Sequence, residues 1–284
     1  MKVKKAFTLV ELLVVIAIIA VLMSILMPAL QSAREQGMRA VCLNNVHGMA
    51  MAYLLYSEDN DGRLVGGYQT MPGTAPPYDS PWLCPPMLAD GTYFGRGSAT
   101  GEGGDPATQE DRFRGIRAGK LFEYTQTTDI YHCPADRRVR EGTYLGTSQV
   151  YRLYVSYGPA SGLNGGSAGH LTRMSEIKRP GSTYNFVETY SDGWVHNEGG
   201  GFFIENNLAP GRWWSVIAIW HGAAGILGYA DGHANRIIWQ DERTLDMKFS
   251  RDPVTNLQPD NPDLHYMFRN HPLSDSWDLS WMEY

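Results

Sequence analysis

The sequence predicts an α+β protein. One long N-terminal helix, apolar enough in its first half to cross a bilayer, packs through its second half on a C-terminal antiparallel sheet with long loops. Three observations predict this. Residues 7–30 form an apolar run in which Glu11 is the only charge. Apolar residues at helical spacing continue beyond that run to about Ser57. Residues 212–240 carry short β-branched and aromatic runs divided by Gly and Asp-Gly turns.

The apolar run has 24 residues. At about 1.5 Å per residue a helix of that length spans about 36 Å, against a bilayer core of about 30 Å. Lys2, Lys4 and Lys5 precede it, and a positive flank stays on the cytoplasmic side. The amino terminus is therefore expected inside and the rest of the chain outside, with Arg34 and Arg39 weighing slightly against this. Glu11 is the unusual residue, because an ionised side chain in hydrocarbon costs about 2.5 kcal/mol or more. It asks for a cationic partner. A secretory signal would be cut after the apolar run at a pair of small residues, and residues 28–34 offer none that convinces. A plain anchor accounts for the length and the lysines but leaves Glu11 unexplained. A cut between Ala6 and Phe7 frees an α-amino group one helical turn from Glu11.

Beyond Leu30, residues Ala33, Ala40, Val41, Leu43, Val46, Ala50, Tyr53 and Leu54 recur at spacings near three and four, with polar residues between them. That is an amphipathic face, so one helix is expected from about Phe7 to Ser57. Pro28, Gly37 and Gly48 are expected bends or weak points. Met38, Met49 and Met51 read as core packing rather than a methionine-rich binding surface. The run Glu58-Asp59-Asn60-Asp61-Gly62 ends the helix. It resembles the start of a calcium loop, but an EF-hand needs glutamate at the twelfth position, and counting from Asp59 that residue is Thr70.

The 284 residues carry a net charge of −6, which gives nucleic acid no electrostatic footing. Gly (31) and Pro (16) imply many turns and long loops. Residues 66–119 read as loop-rich insertion, 116–124 as a short helix with Leu121 and Phe122 buried, and 131–136 as a compact turn. Strands are expected at 151–157 and 184–188. A three-stranded meander is expected from 214–220, 226–230 and 234–239, its apolar face covering the outer half of the helix. The tail from Asp252 to Tyr284, rich in Pro, Asp and Trp, is expected to wrap the surface.

Two resemblances add to these readings. Lys4-Lys5-Ala6-Phe7-Thr8-Leu9-Val10-Glu11-Leu12-Leu13 resembles the cleavage and methylation segment of type IV pilins and type II secretion pseudopilins. The resemblance implies a pilin-like fold and a prepilin peptidase that cuts between Ala6 and Phe7 and methylates the Phe7 amine. It also implies that Glu11 pairs with the amine of a neighbouring subunit. Ala6 departs from the Gly usual there, and Pro28 falls where many members carry a helix-kinking proline. The layout implied is a leader over 1–6, a transmembrane helix over 7–30, its amphipathic continuation over 31–58 and an exposed domain over 59–284. The implied partners are the peptidase, other subunits and the cytoplasmic membrane, with the exposed domain periplasmic or extracellular. The second resemblance lies in His221, nine intervening residues and Asp231-Gly232, which look like the H-x9-DG region of a large group of prepilin-type proteins. Cys42-Leu-Asn-Asn45 and Cys133-Pro-Ala-Asp136 look like that group as well.

A catalytic pair of His221 and Asp231 is disfavoured, since in the expected meander a strand length of roughly 17–20 Å separates them, far beyond hydrogen-bond reach. Structural roles are expected instead: Asp231 bonds the turn backbone, Gly232 supplies a positive φ and His221 bonds loop carbonyls. No catalytic residue, cofactor or metal site is assigned. His221 and His233 lack a converging carboxylate or cysteine set in the sequence. Three cysteines permit one internal disulfide, and Cys42–Cys133 and Cys84–Cys133 both fit. The alternative to an assembly subunit is a tethered extracytoplasmic glycan-binding protein or hydrolase that does not polymerise, with Glu188, Asp192 and Glu198 near Trp194 and His196.

Overall fold

The computed structural model describes residues 8–67, 80–93, 107–137, 139–144, 147–152, 154–164, 170–189, 202, 204, 211, 213, 215–247 and 258–283. Its dominant element is helix α1, Leu9–Asp59, 51 residues long, or about 76 Å at the usual rise. Thr8 caps it: its hydroxyl accepts from the Glu11 amide, and the Glu11 carboxylate accepts from the Thr8 amide at 2.9 Å and from its hydroxyl at 2.7 Å. This reciprocal arrangement satisfies amides that the first turn leaves open. The helical run is unbroken through Pro28, Gly37 and Gly48. At Gly48 the glycine answers to packing, because the Ile130 side chain occupies the space a Cβ would take.

The buried residues of α1 are Cys42, Val46, Met49, Ala50, Ala52, Tyr53, Tyr56 and Ser57, mostly at three-and-four spacing, which gathers them on one broad face. That face lies on a four-stranded antiparallel sheet of order β3-β4-β5-β6. The strands are β3, Tyr157–Pro159; β4, Tyr184–Glu188; β5, Ala224–Tyr229; and β6, Ala234–Ile238. Central β4 and β5 are buried throughout, whereas the edge strand β6 is mostly open. Gly228 lets helix and sheet close up: a Cβ there would stand 3.1 Å from Val46 and 3.2 Å from Ala50. Tyr53 meets Phe186 edge-on at 6.0 Å, and Trp82 meets Phe186 at 5.6 Å, so one aromatic cluster joins helix, sheet and the 80–93 segment. A separate hairpin pairs β1, Val139–Tyr144, with β2, Thr147–Arg152.

Several expectations are corrected. The segment 215–220 is not a meander strand. Of its residues, Ile217 makes an isolated bridge to Thr189, because β5 already has β4 on one side and β6 on the other. The sheet therefore recruits its strands from farther back in the chain. The 151–157 strand divides into the end of β2 and the start of β3. Residues 116–124 hold parts of two helices, α2, Gln109–Ala118, and α3, Phe122–Thr125. They are divided at Gly119, where a Cβ would strike the backbone of Trp82 and Leu83. Leu121 is buried and Phe122 half-buried. Two further short helices follow the sheet: α4, Glu242–Asp246, and α5, Pro262–Arg269. The described part of the tail belongs to the core, since α5 buries Leu264, Met267 and Phe268.

Candidate functional site

Two regions carry chemistry beyond packing. In the first, the apolar part of α1, the large side chains from Leu9 to Leu30 are all open, Leu9 at 78% and Leu30 at 71%. This stretch is long and apolar enough to cross a membrane, and none of it is covered by the rest of the chain. A helix apolar on every side is stable only in lipid or among other helices. Glu11 lies one turn inside it, its carboxylate held by Thr8 alone among the hydrogen bonds described. Ala6 and Phe7, the residues of the expected cut, lie outside the described residues.

The second region is buried. Helix α1 brings Cys42 to the domain, and Cys42 is disulfide-bonded to Cys133 with a Cα–Cα distance of 5.3 Å. Cys84 remains a buried thiol, which desolvation pushes up to about 11. The segments around the two bonded cysteines dock by polar contacts as well. Asn45 donates to the His132 carbonyl at 3.0 Å. The Cys133 amide donates to the Ser156 hydroxyl at 3.0 Å, and that hydroxyl donates to the buried Asp136 carboxylate at 2.6 Å. The Asp136 amide returns to the Cys133 carbonyl at 2.8 Å, closing the Cys133-Pro-Ala-Asp136 turn.

His221 points into the same place. Its Nε2 lies 3.3 Å from Cys133 Sγ and 3.1 Å from Glu188 Oε1, and all of these groups are buried. Glu188 reaches it from the end of β4, with its other oxygen accepting from the Ile226 amide at 3.0 Å. Burial pushes the Glu188 carboxyl above the usual carboxylate range, although His221 and the Ile226 amide pull the other way. Among the described residues the side-chain partners of His221 are thus a carboxylate and a sulfur, where loop carbonyls were expected. The segment 215–220 runs past the end of β4, where the Ala218 amide donates to the Glu188 carbonyl at 2.9 Å, and so delivers the imidazole inward.

Asp231-Gly232 is placed elsewhere, in the β5–β6 turn. Asp231 accepts from the His233 amide at 3.2 Å and also bonds the His233 ring. Gly232 has φ +93°. Its carbonyl accepts from His47 Nδ1 at 2.9 Å, and a Cβ on it would collide with Met51 Sδ. The two ends of the His221–Gly232 segment thus grip α1 at two levels, His221 at the Cys42 disulfide and Gly232 at His47 and Met51.

The converging set missing from the sequence does exist in space. Cys42, Cys133, Glu188 and His221 each offer a ligand-type atom, and these atoms lie within 4.8 Å of one another. His233 is not among them. Glu188 is 1% exposed, so it cannot line an open sugar-binding surface; Asp192, Trp194, His196 and Glu198 lie outside the described residues. The sequence grouped Glu188 with nearby carboxylates and Trp194; nothing in residue order signalled its place beside His221 and the disulfide, at the end of a buried strand.

Residues 1–27 match the family model described as the prokaryotic N-terminal methylation motif. The match ends within the apolar half of α1 and does not reach the His221–Gly232 segment. No curated protein and no solved structure matches the chain. The matched motif is a prepilin-type segment, and the long apolar helix and the α+β arrangement are consistent with a membrane-anchored, type IV pilin-like chain. Such a motif implies processing by a prepilin peptidase and points to a structural subunit rather than an enzyme.

Proposed function

We propose that this chain is a prepilin-like structural subunit, cut between Ala6 and Phe7, methylated on Phe7, and assembled through its helix into a type IV pilus or a type II secretion pseudopilus. The observation that carries this reading is the open apolar half of α1 with a single carboxylate, Glu11, inside the matched motif. In lipid that carboxylate needs a cation, and the freed amine of an adjacent subunit supplies one. Residues 1–6 are then the leader, 7–30 the membrane helix, 31–58 its amphipathic continuation and 59–284 the exposed domain. Lys2, Lys4 and Lys5 favour a cytoplasmic leader and a domain on the far side. Mass spectrometry of the mature amino terminus tests the processing step. A methylated Phe7 is the expected result; an intact lysine leader, or a terminus near Gln31, would overturn the reading.

A further inference from the structure

The buried quartet around the disulfide has a composition that a staple alone does not need. A covalent S–S bond requires neither a buried imidazole nor a buried carboxylate beside it. Burying both is costly unless they are bonded. Yet Glu188 and His221 come from separate strand-end and loop segments to meet at Cys133 Sγ, and the Ile226 amide fixes the orientation of the carboxylate. Two sulfurs, one imidazole nitrogen and one carboxylate oxygen, all within 4.8 Å of one another, make a donor set of the kind that binds zinc.

We infer that, when the Cys42–Cys133 bond is reduced, Cys42, Cys133, His221 and Glu188 form a closed four-ligand site for a divalent cation of the zinc class. Zinc takes cysteine, histidine and carboxylate ligands in tetrahedral array, with structural sites shut to solvent. Around such an ion neighbouring donor atoms stand about 3.3–3.8 Å apart, as follows from bond lengths of about 2.0–2.3 Å. The four atoms therefore need shifts on the order of 1 Å, within reach of side-chain rotation. Hard cations such as calcium and magnesium are disfavoured, since they call for oxygen ligands throughout.

The chemistry balances with a thiol or phosphine reductant. Two electrons and two protons break the S–S bond and give two thiols. Binding of the cation displaces both protons to solvent, so the net change is disulfide plus two electrons plus cation giving the bis-thiolate complex. The oxidised and metal-bound forms exclude each other, because the sulfurs of a disulfide carry no thiolate charge. Both forms pin α1 to the domain at Cys42. The inference is independent of whether the helix enters a filament.

The test uses the full chain in detergent, reduced to completion with a water-soluble phosphine and checked by thiol titration, with cobalt(II) as a spectroscopic probe. One cobalt ion per chain is expected, with thiolate-to-metal charge-transfer absorption and the visible bands of a tetrahedral site, displaced by zinc. The oxidised protein shows neither. Cys84→Ala leaves the spectrum unchanged. Cys42→Ser and His221→Ala weaken binding by more than the roughly 10–100-fold typical of losing an outer-shell partner, and Glu188→Gln changes the visible bands. Near-ultraviolet circular dichroism of the same samples reads the fold: metal is expected to raise the thermal midpoint of the reduced protein. The inference is overturned if the reduced chain shows no thiolate–cobalt band or if Cys42→Ser binds as the parent does. It is overturned equally if reduction unfolds the domain and the metal fails to restore it.

Discussion

Between Leu9 and Leu30, α1 turns leucine, isoleucine and valine outward on every side; between Cys42 and Ser57 it turns one apolar stripe to the sheet and leaves only Asn44, His47 and Leu55 open. Both stretches are continuous helix, and both are rich in good helix formers. They differ in what surrounds them. The Cys42–Ser57 stretch is surrounded by protein: each large buried side chain there contributes about 1.5–3 kcal/mol, and a disulfide and two polar clips add to it. The Leu9–Leu30 stretch is open along its length and depends on lipid or on neighbouring helices. The lesson is that one secondary structure element carries two separable functions, and each can be disturbed without the other.

The largest expected effect tests that separation directly. Glu11→Val is expected to abolish incorporation into filaments, as read by immunoblotting sheared filaments. Membrane insertion and thermal unfolding of the domain should stay as in the parent. Normal assembly of this variant would remove the distinction between the halves. Second in size is Cys133→Ala. Loss of a bond closing a sequence separation of 91 residues is expected to cost roughly 4–5 kcal/mol in denaturant unfolding, measured with a metal chelator present, while insertion is untouched.

Third comes the acid sensitivity of the domain's folding. His271 is buried, bonded by Nε2 to Ser161 and accepting at Nδ1 from the Leu273 amide, and burial lowers its pKa from 6.5 to about 3. The unfolded chain therefore binds a proton that the folded chain refuses. The stabilising contribution of neutral His271 is complete above pH 6.5 and is lost as the pH falls toward 3, a change of roughly 3–5 kcal/mol. His271→Gln should flatten the stability profile in that window. The smallest effect is Gly228→Ala, where the added methyl meets Asn185, Val46 and Ala50. Destabilisation of about 1–3 kcal/mol is expected from overpacking, with filament incorporation per folded chain unchanged.

The helix was legible because its signals are local and periodic: an apolar run, then a three-and-four stripe. Strands β4, β5 and β6 were legible from their β-branched and aromatic runs. Helix α2 was overlooked within an apparent insertion, although Thr108 and Asp111 form the cap pair that announces it. Helix α5 was likewise announced by Asn261-Pro262 and the apolar spacing of Leu264, Met267 and Phe268. The misread strand at 214–220 has strand-like composition, and only the sheet order shows that no edge is free beside β5. The Cys42, Cys133, Glu188 and His221 cluster could not be read from spacing at all. Its members come from four segments spread over most of the chain, and a distance of 3.1 Å between Glu188 and His221 leaves no periodic trace.

Cys42 is the first fully buried residue that α1 presents on leaving its open half. Tension drawn along the helix axis therefore enters the domain at a covalent link before it reaches Val46, Met49 or Tyr53. The sulfur bridge shunts that load into the Cys133 turn and spares the weaker dispersion contacts behind it. Force that would peel an unbridged helix from its sheet, residue by residue, must here break a chemical bond first.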